Sequence, residues 1–423
     1  MSKIIPDGAP SSPSASPLWA TLESHARTHI QQFVQQLLEE EVDALLARVR
    51  SARRTAATPV GYRNGYGKPR RIALTSGTIT ILRPRVRQTE TRFVSRVLPL
   101  FQRRTRELGA LLPELYLHGL STGDFELALR GLLGDGAPLS ASSIQRLKAD
   151  WQGQYDAWRR RDLSELALAY VWADGIYVKA GLEQSKAALL VLIGALADGR
   201  KVILAVESGQ RESTESWAAI LRDLTARGLR PPKLTVADGH LGLWSALAQV
   251  WPESAEQRCW NHKLINVLDA VPQTVQPAVK THLQRIANAA TRAIAEQERT
   301  AFRLAYQTRY AKAVERLDRD WERLVAYYAF PQAHWRHLRT TNVVESPFAA
   351  VRLRTSAAKR FKKVENATAL IWRVLLVVEQ HFRKLNQPHL CADVAAGAVY
   401  EDGQRVVTTP AALPSEHREQ VAA

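Results

Sequence analysis

Past residue 167 the sequence changes its pattern, and the change limits what the chain can fold into. "LAYVWADGIYVKAG", "SKAALLVLIGALADG" and "RKVILAVESGQ" are three apolar runs separated by Gly, Asp and Ser turns. Runs of this kind bounded by turn residues read as consecutive strands of a meander. A helix follows, "STESWAAILRDLTARGL", with Ser213 or Thr214 as N-cap and Gly228 at its C-terminal end. A buried fourth strand, "KLTVADG", a second helix, "GLWSALAQVW", and a short strand around "EQRCW" complete the series. Three antiparallel strands followed by alternating helix and strand predict an α/β fold, a mixed sheet flanked by helices.

Asp174 and Asp238 each stand at the end of an apolar run and precede a glycine. Either alone is equally accounted for by a turn or a helix cap. Together, on the first and fourth strands of one sheet, they say more. In a ribonuclease-H-like strand order those strands are neighbours, and the two carboxylates lie side by side. Paired carboxylates are hard oxygen ligands suited to Mg²⁺, and two such ions can clamp the attacking and leaving oxygens of phosphoryl transfer. Glu345 is the candidate third acid, although "NVVE" (Asn342 to Glu345) also has the spacing of a capping box. The stretch behind it carries Arg352, Arg354, Lys359, Arg360, Lys362 and Lys363, a density of charge that suits DNA held beside a metal site.

Charge points the same way. The 423 residues hold 58 Lys+Arg against 41 Asp+Glu, a net +17, and among polyanions nucleic acid is the first partner of such a surplus. Two cysteines, Cys259 and Cys391, exclude a disulfide framework and suggest a reducing compartment. Residues 1–18 lack an apolar signal core and read as a disordered lead-in. The longest apolar run, 187–197, is too short to span a bilayer. A soluble cytoplasmic protein, nucleoid-associated when bound to DNA, is the expectation.

Residues 19–150 read as an N-terminal DNA-binding region that is mainly helical. An amphipathic helix or helix pair over 19–50 carries Phe33, Leu37 and Leu38. The Gly- and Pro-rich stretch 53–87 is very basic and ends in the alternating strand "GTITILRPRVR". A small twisted sheet bearing Arg63, Lys68, Arg70, Arg71, Arg83, Arg85 and Arg87 would meet phosphates, with Tyr62 and Tyr66 interleaved; a solvated basic loop has the same composition. Helices over 101–148 have cap-type residues at Ser121, Thr122, Ser140 and Ser142, and "LSASSIQRLKADW" resembles the second helix of a helix-turn-helix. The first part of the core covers 168–275, an all-helical insertion 276–335, the last part of the core 336–388, and an irregular tail 389–423.

"CWNH", Cys259 to His262, looks like half of a zinc site. The other half would be His334 and His337 of "HWRH", but only two residues separate these histidines where zinc pairs use three to five.

In their order along roughly 50–385, the basic block "GYRNGYGKPRR" with "SGTITILRPRVR", then "YLHGLSTGDFELALRGLLG", "LSASSIQRL", "DGIYVK", "ADGHLGLWSAL", "CWNHKLINVL" and "HWRHLRTTNVVESPFAAVRLRT", resemble the Mutator-type DDE transposases. That family comprises bacterial insertion-sequence transposases and plant Mutator-like relatives. The resemblance implies Asp174, Asp238 and Glu345 as ligands of two Mg²⁺ ions, with Mn²⁺ as a substitute. It makes "CWNH" the family's Cys/Asp-x-x-His element and places the helical insertion between Asp238 and Glu345. One departure is "ESPF", where Pro347 and Phe348 stand in place of the family's frequent basic or polar residue.

The implied function is binding of the element's terminal inverted repeats, DNA cleavage and strand transfer, by a homodimer or larger assembly. Cys259 is expected to pack as a small buried hydrophobe. His240 is a candidate to orient water or phosphate, His262 to point toward the catalytic face or brace it by hydrogen bonding, Arg339 and Asn342 to contact DNA, and Trp335 to stack on a displaced base. Each has a structural alternative: a satisfied histidine, an N-cap at Asn342, a buried Trp335. Two other classes are a catalytically silent DNA-binding regulator and a zinc-stabilised DNA-binding protein.

Overall fold

From Val34 to Leu46 every fourth residue of the first helix, α1 (Pro17–Leu46), is apolar, and this stripe builds the N-terminal core. Leu38, Val42 and Leu46 are buried, and Val34 and Leu38 pack with Ile72, Ile79, Ile81 and Leu98. Phe33, expected on this face, is 61% exposed because a residue one position away is turned about 100° around the helix. The basic stretch forms two antiparallel pairs rather than one sheet: β1 (Tyr62–Tyr66) with β4 (Pro84–Arg87), and β2 (Arg70–Leu74) with β3 (Gly77–Ile81). In β3 alternate residues Gly77, Ile79 and Ile81 turn inward, the period of a half-buried strand. Helix α2 (Arg106–Leu117) starts at Thr105, whose hydroxyl accepts the Leu108 N–H.

The structure is a computed structural model and describes residues 17–90, 92–98, 104–118, 120, 129–130, 133, 141–180, 186–209, 211–358, 361 and 363–406. The expected caps Ser121, Thr122 and Ser140 lie outside the described residues, as does most of the helix expected before α3 (Ala141–Trp158). The chain forms two compact units, Met1–Leu147 and Lys148–Ala423.

The second unit is built on β5 (Leu168–Lys179), β6 (Lys186–Leu196), β7 (Lys201–Gly209), β8 (Leu234–Ala237) and β9 (Ala255–Arg258). Helix α4 (Thr214–Ala226) precedes β8, α5 (Leu241–Val250) precedes β9, and α6 (Trp260–Leu268) follows it. The strand order is β7-β6-β5-β8-β9, antiparallel through β5 and parallel beyond it. This is the expected ribonuclease-H-like mixed sheet. Ser213 is the N-cap of α4, its hydroxyl accepting the Ser216 N–H at 3.2 Å. One sheet face, with Val171, Ala173, Leu190 and Leu204, packs on Trp217, Leu221, Leu243 and Trp244 of α4 and α5. Alternate residues point the other way. There the Tyr170 hydroxyl meets His334 Nδ1 at 2.7 Å, and Trp172 Nε1 donates to the His337 carbonyl at 2.9 Å.

After α6 the chain is helical as far as the last acid. It forms α7 (Gln276–Ala287), α8 (Arg292–Asp318), α9 (Trp321–Val325), two 3-10 turns, α10 (Trp335–Leu338) and α11 (Asn342–Glu345). Helices α12 (Phe348–Ala358) and α13 (Val364–Glu379) follow. The tail is not irregular as far as residue 406. Helix α14 (Leu390–Ala395) packs on β5 and β6, burying Cys391 and Val394, and β10 (Tyr400–Glu401) pairs with β11 (Gln404–Arg405). Among the described residues no helix is long and apolar enough to cross a membrane.

Candidate active site

Asp174 does not close its strand: it lies within β5, opposite Val191 of β6. The parallel ladder between β5 and β8 does end there, at Ala173 opposite Ala237. The next residues, Asp174 and Asp238, therefore stand side by side where the two strands part. Gly239 turns the chain away with φ +103°, at a point where any side chain would collide with the Arg258 guanidinium. Asp238 Oδ1 accepts the His240 N–H at 3.0 Å, and Asp174 Oδ1 accepts the Gly175 N–H at 2.8 Å. His240 itself is exposed.

The third acid arrives on α11, which packs against β5 and β6. The expected capping box is absent. Thr341, not Asn342, is the N-cap residue, and the Glu345 carboxylate accepts the Thr341 hydroxyl instead of reaching back to a backbone N–H. Asn342 is exposed and its Oδ1 accepts from Asn261 at 3.3 Å. Burial is the main reason that the Asp174 carboxyl is pushed up to about 7. The Asp238 charge adds to it, the Gly175 N–H partly opposes it, and Glu345 and Glu212 raise it further. Three carboxylates from three elements, with surplus negative charge around the half-buried Asp174, fit a hard divalent cation.

Glu212 was not foreseen from the sequence. It is 6% exposed, and a side chain at Gly175 would meet its carboxylate at 2.6 Å. Burial, then the charge of Asp238, raises its carboxyl above the usual range. The sequence around it, "QRESTES", carries only the cap signal of the following serines, so nothing local marked it out.

"CWNH" adjoins Glu345. Cys259 is fully buried, as expected, but as a polar participant: Sγ accepts the Thr341 N–H at 3.4 Å and lies 3.2 Å from the Thr341 hydroxyl, whose single proton goes to Glu345. His262 Nδ1 lies 3.5 Å from that hydroxyl and 3.8 Å from Glu345 Oε1. Cys259, His262 and Glu345 form a candidate metal-chelating cluster. His334 and His337 do not join it; His334 is held by Tyr170 and its Nε2 lies 3.9 Å from Cys391 Sγ. The zinc arrangement with "HWRH" is therefore not formed.

Several residues expected to touch DNA have other partners. Trp335 is buried at 5% exposure and donates to the Phe330 carbonyl at 2.8 Å, so stacking on a base is excluded. Arg339 donates to the Ala287 carbonyl at 2.7 Å and to Asn288 Oδ1 at 2.6 Å. Arg354 is 1% exposed, because its position on α12 faces the protein rather than solvent. Arg63 pairs with Glu39 and Asp43 of α1, and Arg83 lies over the Phe93 ring. Lys68, Arg71, Arg85 and Arg352 are exposed and Arg70 half-buried. Lys359 and Arg360 lie outside the described residues.

A ribonuclease-H-like sheet with adjacent acids on its first and fourth strands and a third on a late helix defines the class of metal-assisted phosphoryl-transfer folds. The model of the family described as "Transposase, Mutator family" matches residues 17–384, and the chain belongs to that family of DDE-type transposases. It is 44% identical over 313 residues to the transposase for insertion sequence element IS6120 of Mycolicibacterium smegmatis, covering 73% of this chain and 97% of that one. It is 41% identical over 278 residues to the transposase for insertion sequence element IST2 of Acidithiobacillus ferrooxidans, covering 65% and 94%. Identity to the transposase for insertion sequence element ISRM5 of Rhizobium meliloti is 30% over 356 residues, covering 83% and 86%.

Proposed function

We propose that the chain binds the terminal inverted repeats of an insertion sequence and catalyses phosphodiester cleavage and strand transfer at its ends, with Asp174, Asp238 and Glu345 as ligands of two Mg²⁺ ions. The observation that carries this reading is the β5–β8 register, which sets Asp174 beside Asp238, with α11 and its Glu345 packed on β5. Mn²⁺, equally an oxygen-binding divalent ion, substitutes for Mg²⁺. When bound, the ions supply Lewis-acid stabilisation of the phosphate oxygens and lower the pKa of an attacking water or 3′-hydroxyl.

The chain's own groups do the positioning. Asp174 sits within β5 and Asp238 just past the end of β8, each orientated by a backbone N–H. Thr341 fixes Glu345 from behind. His240 and His262, at the edge of the carboxylates, orient water or phosphate. Exposed Lys68, Arg71, Arg85 and Arg352, with half-buried Arg70, contact the DNA backbone, which fixes register without reading sequence. Two element ends must be joined in one assembly, which calls for a homodimer or larger oligomer on DNA. The silent-regulator alternative required loss of an acid, and all three are in place.

The test is cleavage of terminal-repeat DNA by the purified chain in Mg²⁺, beside Asp174→Asn, Asp238→Asn and Glu345→Gln. Cleavage is expected to vanish in each variant while specific DNA binding persists. Undiminished cleavage by any of the three contradicts the assignment.

A further inference from the structure

Cys259 and His262 take no part in a hard-cation site, yet they are built into the wall behind Glu345. Cys259 Sγ, His262 Nδ1 and a Glu345 oxygen lie within 4.8 Å of one another. The set combines a soft sulfur, an imidazole nitrogen and one carboxylate oxygen. Mg²⁺ is served by oxygens alone, whereas Zn²⁺ and its analogues Co²⁺ and Cd²⁺ take sulfur and nitrogen, often with three protein ligands and one open position.

Local structure brings the donors together. Cys259 is the N-cap residue of α6 and His262 falls within its first turn, so a Cys-x-x-His spacing turns both side chains to the same helix end. The Thr341 backbone N–H binds the sulfur while its hydroxyl, 3.2 Å from that sulfur, holds Glu345, which joins α11 to that end. The thiol is disposed to ionise. Burial pushes it up, but hydrogen bonds with His262 and Thr341 more than offset this and leave it below its ordinary value.

We propose that Cys259, His262 and Glu345 form a second, thiophilic metal site that takes Zn²⁺, Co²⁺ or Cd²⁺, and that its occupancy inhibits DNA cleavage because Glu345 cannot serve both sites. The inhibitory half rests on the catalytic reading of Asp174, Asp238 and Glu345; the binding half does not. The site differs from a structural zinc joining Cys259 and His262 to "HWRH", since its third ligand is the catalytic acid itself.

Co²⁺ titration of the full chain reads the site without any DNA. The expected result is a thiolate-to-cobalt charge-transfer band that saturates at about one equivalent and is displaced by Zn²⁺. The band is expected to vanish in Cys259→Ser and to survive in Cys391→Ser, which removes the other buried thiol. His262→Gln is expected to weaken Co²⁺ binding roughly tenfold or more. It also serves as the second variant should Cys259→Ser fail to fold. A wild-type chain with no such band, or a band that persists without Cys259, overturns the site.

Cleavage in Mg²⁺ reads the consequence. Each variant is compared with its own zinc-free rate. The wild type is expected to lose cleavage as Zn²⁺ is added, and His262→Gln to need roughly tenfold more Zn²⁺ for the same loss. Equal zinc sensitivity in both, with the band present in the wild type, overturns the inhibition. A chain that shows the band but cleaves no terminal-repeat DNA in Mg²⁺ upholds the metal site and contradicts the catalytic reading instead.

Discussion

Thr341 is a small residue with no exposed surface, yet its hydroxyl contacts Cys259, His262 and Glu345. It decides where the third carboxylate stands. Replacing it by Val keeps the shape and removes the hydroxyl, and single-turnover cleavage is expected to fall about 100-fold, because small misplacements at a reacting centre are that costly. Thr341→Ser is expected to keep most of the rate, and equal rates for Val and wild type would show that Glu345 is held by something else. Glu212, close to Gly175, raises the Asp174 carboxyl and is itself raised by the Asp238 charge, so its expected effect is exerted through the electrostatics around Asp174. Glu212→Gln is expected to raise the Mg²⁺ concentration for half-maximal cleavage roughly tenfold with DNA affinity unchanged; an unchanged Mg²⁺ dependence would count against it. Asp174 and Asp238 stand out in the sequence because each follows an apolar run and precedes a glycine. Glu212 and Thr341 were not, since their roles come from contacts across the fold that no local pattern encodes.

Among the elements, the strands around the site announced themselves and the helix behind it did not. Runs such as "AALLVLIGAL" are apolar throughout because β6 beyond Ala187 is covered on both faces. Helix α11 has four residues, too few to show a periodicity, and its "NVVE" imitated a capping box that the fold does not form. The tail was misjudged for a related reason: α14 and the β10–β11 hairpin are short and are stabilised by packing rather than by propensity. The junction between β9, α6 and the helical insertion rests on Asp320, 7% exposed, which pairs with both Arg258 and Lys263. Burial holds the Lys263 amine down to about 8 even beside this carboxylate. Asp320→Ala would leave the buried Lys263 and the half-buried Arg258 uncompensated and is expected to cost about 3–5 kcal/mol in urea unfolding. A loss below about 1 kcal/mol, typical of a surface pair, would contradict that reading.

Across the whole molecule, charge and acidity give two further expectations. With a net +17, DNA affinity is expected to fall steeply with salt. Lys68→Ala and Arg85→Ala, both at exposed positions, should each lower the log–log salt slope by about 1. Buried Arg354 should leave the slope unchanged when substituted. His334 and His337 are held below the ordinary histidine range, His337 down to about 4, burial being the main cause in both. Their folded pKa values lie below the unfolded value near 6.5, so the folded state disfavours their protonation. The stability they permit is complete above about 6.5 and is lost as pH falls through the window down to about 4. His337→Gln should flatten the decline of the unfolding midpoint between pH 7 and 4.5; an unchanged decline would assign it to other groups. The central claim is that carboxylates from β5, from the end of β8 and from α11 make one cation site. Mn²⁺ titration of the DNA-free chain, followed by electron paramagnetic resonance, tests it most directly. Asp174→Asn, Asp238→Asn and Glu345→Gln are each expected to weaken binding by roughly tenfold or more, whereas Mn²⁺ affinity unchanged in Glu345→Gln would contradict it.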